Sequence, residues 1–231
     1  GGYPDAMEEA WKLFRKTAYS SLYSYPRFTW QTVVPDQRRI SKIDLSDDYL
    51  QAIRLYASCA DELKGSELYR NDLIEFVSYY VAAKAENFYK QALKDDSENR
   101  VLAAQRNLQQ TVDLLMDVDR LLASHPLYRL EEWVELARNS GTTLQEKDAY
   151  EANAKRLITS WGGIQEDYAA RFWSGLIKDY YIPRIQLYFT KDRNKIREWE
   201  EQWITSPWSN STTPFDDPVK AALNLIEKTN K

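Results

Sequence analysis

The stretch that determines the fold is residues 66–123, SELYRNDLIEFVSYYVAAKAENFYKQALKDDSENRVLAAQRNLQQTVDLLMDVDRLLA. Apolar residues recur here every three or four positions, first over 68–93 and again over 99–123. That spacing places them on one face of a helix, so the pattern predicts two long amphipathic helices. Only residues 94–98 separate them, and helices joined by short loops pack as antiparallel neighbours. The sequence therefore predicts an all-α fold, a bundle of long antiparallel helices.

The rest of the chain has the same helical periodicity, interrupted at 25–35 and at 206–218. Further helices are predicted over residues 6–23, 46–63, 127–139, 142–161, 165–189, 191–203 and 217–228. Thr143 and Glu146 have the spacing of a capping box, which marks a helix start. Pro183 lies inside the predicted helix 165–189, where it removes a backbone hydrogen bond and should kink or restart the helix. We expect residues 1–231 to form a single all-α domain.

Composition excludes several classes of protein. The 231 residues contain only 7 Gly and 8 Pro, whereas aromatic residues make up 13%. The net charge of −4 provides no basic surface for a nucleic acid or an anionic membrane. No apolar run approaches the ~18 residues that a membrane-spanning helix needs. We expect no nucleic-acid partner and no membrane span.

Catalytic and metal-binding motifs are few. The single cysteine, Cys59, excludes an internal disulfide, and Cys59 with the single histidine, His125, cannot form a Cys/His zinc site. Cys59 is interpreted as a core residue and His125 as a loop residue. The acidic run 95–98 lacks the spacing and the glycine of a calcium loop, so a solvated helix cap is the favoured interpretation. There is no dinucleotide fingerprint, P-loop or HExxH motif, and no metal or cofactor is expected.

The first residues are unlike a natural translation start. The chain begins Gly-Gly-Tyr-Pro, and its first methionine is Met7. This beginning does not have the pattern of a signal peptide. We expect the chain to be a piece of a longer protein.

The segment 150–189 is the most distinctive part of the sequence. It contains, in order, the motifs YEAN (150–153), TSWG (159–162), DYA (167–169), GL (175–176) and YYIPR (180–184). In order and spacing, apart from one loop, these motifs resemble the C-terminal helical domain of the α-N-acetylglucosaminidases, glycoside hydrolase family 89. The predicted helix at 127–139, with LEEW at 130–133, resembles the helix that precedes these motifs in the family. Residues 10–23 resemble the start of the family's helical domain.

This resemblance implies a parent enzyme that removes terminal α-linked N-acetylglucosamine from glycans. In the family an upstream catalytic barrel supplies two glutamates, and the helical domain packs on the barrel and contributes to the pocket wall. By motif, the wall residues here are Trp161 and Tyr168, with Ile164 as the apolar candidate in a shortened loop. No histidine lies at 25–35 to match the one that the family uses there. The resemblance also implies an exported, periplasmic or extracellular protein.

The chemistry of the residues themselves also supports this role. Trp161 precedes Gly162-Gly163, so its ring is presented on a turn, where it offers a rigid apolar surface and one N–H donor to a sugar. Ordinary packing remains the alternative for Trp161 and Tyr168, and packing is favoured for Trp173, Tyr180, Tyr181 and Tyr188. Arg184 is expected to pin a helix end or form an ion pair.

The remaining functional alternatives concern activity and partners. Glutamates such as Glu131, Glu132, Glu135, Glu151 and Glu166 are interpreted mainly as solvated helix faces, so no catalytic residue is expected in this chain. One alternative is a non-catalytic helical interaction or carbohydrate-binding module, and another is an autonomous helical enzyme. The first of these and the family 89 interpretation both predict an exposed apolar patch.

Overall fold

The computed structural model describes residues 4–20, 28–32, 46–161, 169–190, 192, 194–209 and 211–230. Its helices, numbered in chain order, are α1 (Asp5–Lys16), α2 (Asp47–Ser58), α3 (Ala60–Leu63), α4 (Glu67–Ser97), α5 (Val101–Leu122), α6 (Leu130–Asn139), α7 (Leu144–Leu157), α8 (Ile182–Phe189), α9 (Asn194–Thr205) and α10 (Pro218–Lys228). A 3₁₀ turn covers Thr29–Gln31, and a π-helical turn, Ile177–Tyr181, leads directly into α8. The described residues contain no strand beyond a bridge between Arg129 and Ser174. The predicted all-α bundle is confirmed.

The central helix of the bundle is α4. It carries apolar residues around most of its circumference, as expected for a helix buried on several sides. It packs along α5 and also contacts α2, α10 and the 3₁₀ turn, while α1 packs on α2 and α6 on α7. None of the helices in the described ranges is long and apolar enough to cross a membrane.

The turn between α4 and α5 is held by a buried carboxylate. The Asp95 side chain is buried in the last turn of α4 and accepts hydrogen bonds from Arg100 Nη2 at 2.5 Å and Asn107 Nδ2 at 2.8 Å. The interpretation of residues 95–98 as a solvated cap is therefore wrong for Asp95. This carboxylate is buried because it joins the two longest helices at their shared end.

The predicted capping box at the start of α7 is present. Thr143 Oγ1 accepts from the Glu146 backbone N–H at 3.2 Å. The Glu146 carboxylate in turn accepts from the backbone N–H groups of Thr142 and Thr143. The Thr142 hydroxyl, which also donates to this carboxylate, and then the two backbone N–H groups favour the ionised form and lower the pKa of Glu146 to about 2.

We expect Glu146→Gln to lower the melting temperature at neutral pH but to have little effect near pH 2. The folded-state pKa lies below the ordinary value of 4.5, so this contribution to stability is present above pH 4.5 and is lost as pH falls towards 2. Melting temperatures of both proteins between pH 2 and pH 7 test this. A difference that does not shrink on acidification would contradict it.

The segment predicted as one helix over 165–189 is divided in the structure. Residues 169–175 are not helical, and the helix begins only at the π-helical turn. Gly175, which has a positive φ of 82°, ends the non-helical stretch. Pro183, which has no N–H to donate, lies just after the π-helical turn, at the start of α8. The predicted restart near Pro183 is confirmed, but the predicted start of the helix is not.

Replacement of Gly175 by alanine should destabilise the protein. A Cβ atom there would lie 3.2 Å from both Leu130 Cβ and Trp208 Cζ2, and the positive φ is unfavourable for an L side chain. We expect Gly175→Ala to cost about 1–3 kcal/mol of unfolding free energy, measured by denaturant titration. Gly65→Ala is the matched control, because its Cβ would meet nothing within 4 Å. Equal effects of the two substitutions would contradict this explanation.

Candidate functional site

The candidate site is built around the end of α7, where a buried lysine fixes the helix. The Lys155 side chain is fully buried, and its Nζ donates to Glu151 Oε1 at 3.2 Å and to the Ser206 carbonyl at 2.6 Å. The ammonium also lies 4.8 Å from the centre of the Trp203 ring. Burial lowers the pKa of Lys155, and the neighbouring Glu151 carboxylate opposes that shift. These contacts tie α7 to α9 and to the segment that follows α9.

Glu151 is the centre of this cluster. Its Oε2 accepts from Arg138 Nη1 at 2.7 Å, and its Oε1 accepts from the Trp208 backbone N–H at 2.5 Å. Arg138 also donates to Asp148 at 2.8 Å. One buried carboxylate therefore joins α6, α7 and the segment after α9. The interpretation of Glu151 as part of a solvated helix face is wrong, because its carboxylate is buried among these donors.

Trp161 lies just beyond this fixed helix end. The α-helix ends at Leu157, four residues earlier than predicted, and residues 158–160 form a turn in which Thr159 Oγ1 donates to the Lys155 carbonyl at 2.7 Å. Thr159 is buried, whereas the Trp161 side chain is 39% exposed. The partly exposed Trp161 ring therefore follows directly after a helix end and a turn that are held in place by hydrogen bonds.

A second segment that borders undescribed residues is the 3₁₀ turn, which is buried against α4. The backbone N–H of Thr29 donates to Glu86 Oε2 at 2.8 Å, and Thr29 Oγ1 donates to Glu86 Oε1 at 2.5 Å. The carbonyl of Gln31 accepts from Arg184 Nη1 at 3.1 Å. These bonds hold the short segment 28–32 in a fixed position between α4 and α8.

The segment 169–172 packs against the same turn. Gln31 Nε2 donates to the Arg171 carbonyl at 3.4 Å, and Tyr181 Oη donates to that carbonyl at 3.0 Å. The Phe172 ring lies 5.8 Å from Phe28 and 6.3 Å from Trp30. The described residues just before position 33 and those from 171 onward therefore contact each other.

Of the three predicted substrate-binding residues, the structure describes only Trp161. Ile164 and Tyr168 lie outside the described residues, and so do residues 25–27 and 33–35 of the region where the family has a histidine. Tyr180 and Tyr181 are fully buried, which agrees with the packing interpretation. Arg184 forms the expected ion pair, with Nε 2.6 Å from Glu200 Oε1.

The π-helical turn is capped by another buried carboxylate, which the sequence did not single out. Asp119 Oδ1 accepts from the backbone N–H groups of Gly175 at 2.8 Å and Lys178 at 3.0 Å, and Oδ2 accepts from Thr212 Oγ1 at 2.6 Å. Burial raises the pKa of Asp119, and these hydrogen bonds oppose the shift. Asp119 therefore stabilises the fold by accepting hydrogen bonds from other elements, as Asp95, Glu86 and Glu151 do.

The two residues considered for nucleophilic or metal chemistry are also structural. Cys59 is buried, and its Sγ lies 3.5 Å from the Leu55 carbonyl. His125 is buried in the loop after α5, and its Nδ1 accepts from the Leu127 backbone N–H at 3.1 Å. Within the described ranges, no three His, Cys, Asp or Glu side chains are grouped so that they could hold a metal ion.

An apolar groove lies between α6 and α7. It measures about 280 Å³, and its lining includes Trp133, Leu136, Tyr150 and Leu157. Leu136 is 65% exposed and Tyr150 is 44% exposed. The groove agrees with the expectation of an exposed apolar surface on this domain.

The fold and this site define a helical-bundle domain that presents an aromatic side chain at the edge of a rigid core. Residues 1–228 match the family described as the α-N-acetylglucosaminidase (NAGLU) C-terminal domain. The chain therefore belongs to the α-N-acetylglucosaminidase C-terminal domain family, as the resemblance over residues 127–189 indicated.

Individual relatives agree with this assignment. Human α-N-acetylglucosaminidase is 28% identical over 257 residues, which cover 98% of this chain and 33% of the human protein. A family 89 glycoside hydrolase from Clostridium perfringens, solved in complex with 2-acetamido-1,2-dideoxynojirmycin, has a TM-score of 0.83 at 21% identity. A form of the Clostridium perfringens enzyme with two Glu-to-Gln substitutions, in complex with its substrate GlcNAc-α-1,4-galactose, also has a TM-score of 0.83, at 20% identity.

These relatives are much longer than the chain. Both bacterial structures are matched over 98% of this chain and over 30% of their own length. The chain thus spans about a third of each relative. The similarity to the bacterial structures establishes the fold, and the family match establishes membership in the C-terminal domain family.

Proposed function

We propose that this chain is the helical domain of an exo-acting α-N-acetylglucosaminidase and that Trp161 forms part of the wall of its sugar pocket. The observation that carries the proposal is the exposed indole of Trp161 at the end of a helix fixed by Lys155 and Glu151. A rigid, amphipathic ring loses little conformational entropy when it contacts a ligand. Such a ring suits the apolar C–H face and the acetamide methyl group of N-acetylglucosamine.

Tyr168 and Ile164 are proposed to complete this wall. Their assignment depends on the family resemblance, in which Tyr168 belongs to the DYA motif and Ile164 to the loop before it. The contacts of Arg171 and Phe172 with the 3₁₀ turn support it, because they fix the chain a few residues after the loop that carries both residues.

We place the catalytic carboxylates in a barrel that precedes this domain in the parent enzyme. Retaining glycosidases need two carboxyl groups ~5–5.5 Å apart across the scissile bond. Asp95, Asp119, Glu86 and Glu151 are buried and already accept hydrogen bonds from this domain's own groups. The relatives' greater length leaves room for such a barrel, and the groove between α6 and α7 is a candidate surface for contact with it. By the same resemblance, the parent enzyme is an exported protein.

The experiment is an assay of the 231-residue chain and of its full-length parent on an aryl α-N-acetylglucosaminide. We expect turnover by the full-length enzyme only, because this domain positions substrate and the barrel cleaves the bond. If the isolated chain shows turnover, and this activity co-purifies with the folded domain, the assignment of chemistry to the barrel is overturned. An inactive parent whose isolated helical domain binds the glycan would favour the alternative, a carbohydrate-binding module.

A further inference from the structure

A small pocket lies beside the buried Lys155–Glu151 cluster, and Trp161 is not part of its lining. It measures about 260 Å³ and is formed by the end of the π-helical turn, the start of α8, α9 and residues 206–209. Its lining includes Trp199, Trp203, Trp208, Asp179, Lys155 and Pro183. Three of the chain's eight tryptophans thus meet at one cavity.

The tryptophan rings are held in place but not fully covered. Trp199 and Trp203 pack against Tyr180 with ring centres 5.6 Å and 4.7 Å apart, and Trp208 Nε1 donates to Asp179 Oδ2 at 3.1 Å. All three tryptophans are partly exposed. Rigid aromatic faces of this kind provide a large contact area at a low entropic cost.

Polar groups that suit hydroxyl donors line the same pocket. A carboxylate offers about four lone-pair positions, so Asp179 can accept from a ligand while it holds the Trp208 indole. Lys155 also lines the pocket, but its ammonium is already committed to Glu151 and to the Ser206 carbonyl. Among the described residues that line it, the pocket therefore offers hydrogen-bond acceptors and no uncommitted cation, which favours a neutral ligand over an anionic one.

A second, more polar cleft adjoins the pocket. Trp208 and Ser209 line both cavities, and the cleft, about 600 Å³, is also lined by Glu135, Asn139 and Lys147. These three side chains make no hydrogen bond or ion pair within the described part of the chain, so they can turn towards a ligand. Carboxylate, amide and ammonium groups together provide both donors and acceptors for sugar hydroxyls.

From this arrangement we infer that the Trp199–Trp203–Trp208 pocket is a second saccharide-binding site, which takes one neutral sugar ring of a glycan. The volume of about 260 Å³ lies just below the ~300 Å³ at which pockets for drug-sized ligands begin, so it admits a single ring. The next sugar of the glycan extends past Trp208 into the polar cleft. The inference goes beyond the proposed function, because binding here needs neither Trp161 nor catalysis.

The test is an NMR titration of the 231-residue chain labelled with ¹⁵N at tryptophan, using N-acetylglucosamine and GlcNAc-α-1,4-galactose as probes. We expect saturable shifts of the indole N–H signals of Trp199, Trp203 and Trp208, assigned from single Trp→Phe variants. A Kd on the order of 1 mM is expected, as is typical of weak binding worth about 4 kcal/mol. The disaccharide should bind more tightly than the monosaccharide.

Three variants separate this site from the proposed catalytic wall. Trp199→Ala should weaken binding by about tenfold or more. If Trp199→Ala fails to fold, Asp179→Asn is the substitute test. It keeps an acceptor for the Trp208 indole and should weaken binding several-fold. Trp161→Ala should leave this binding unchanged. No saturable shift, shifts confined to Trp161, or loss of binding in Trp161→Ala would each overturn the inference, whatever the kinetics of the full-length enzyme.

Discussion

Substitution of Trp161 by alanine in the full-length enzyme is expected to lower kcat/KM for an α-N-acetylglucosaminide by roughly 10–100-fold, equivalent to about 1.4–2.7 kcal/mol of transition-state stabilisation. The reason is the loss of a rigid apolar surface that is 39% exposed in the helical domain and is proposed to cover one face of the sugar. Steady-state kinetics of wild type and variant measure the effect. Melting temperatures should be nearly equal, because the exposed indole lies outside the buried core.

Two further variants show whether the effect is specific. Trp161→Phe should restore part of kcat/KM, since a smaller ring still offers an apolar face. Tyr150→Ala is the matched control, because Tyr150 is an aromatic residue of α7, the helix that ends just before Trp161, and is 44% exposed. An equal loss in Tyr150→Ala and Trp161→Ala, or an unchanged rate in Trp161→Ala, would leave Trp161 without a role in the pocket.

Substitution of Glu151 by alanine is expected to destabilise the domain by about 3–5 kcal/mol, because it leaves the buried ammonium of Lys155 without its carboxylate. The change also removes one of the two carboxylate acceptors of Arg138 and the acceptor of the Trp208 backbone N–H. For a chain of this size such a loss lowers the melting temperature by about 6–20 °C. Denaturant unfolding followed by circular dichroism measures it.

The companion variants separate the buried charge from simple loss of volume. The double variant Glu151→Leu/Lys155→Met should be more stable than Glu151→Ala, because it removes both buried charges together. Glu8→Ala is the control for an exposed pair, since Glu8 meets Lys12 at 3.0 Å on the surface of α1. That change should cost less than about 1 kcal/mol. A loss in Glu151→Ala no larger than that in Glu8→Ala would contradict the role given to this cluster.

The helices were largely predictable because their information is local. Apolar spacing located α4 and α5 within a few residues of their bounds, and the threonine and glutamate of the capping box located the start of α7. The segment 165–189 was less predictable, because its apolar residues have helical spacing throughout although residues 169–175 are not helical. The carboxylate of Asp119, distant in sequence, caps the π-helical turn there.

The candidate site was predictable only in part, and for the same reason. Trp161 could be predicted as a site residue because Gly162 and Gly163 follow it directly and indicate a turn, and because the surrounding motifs resemble those of the α-N-acetylglucosaminidase C-terminal domain. The Lys155–Glu151 cluster and the pocket formed by Trp199, Trp203 and Trp208 depend on contacts between elements more than 25 residues apart. Helical periodicity places Glu151 on a face but does not indicate which charges the fold will bury.

The most direct test of the central claim is a crystal structure of the full-length enzyme with 2-acetamido-1,2-dideoxynojirmycin bound. The account predicts that the Trp161 ring lies in van der Waals contact with the bound sugar analogue, with heavy atoms within about 4.5 Å, and that the catalytic carboxylates come from outside this domain. A Trp161 ring that points away from the ligand into solvent, or packs only against the neighbouring domain, would contradict it.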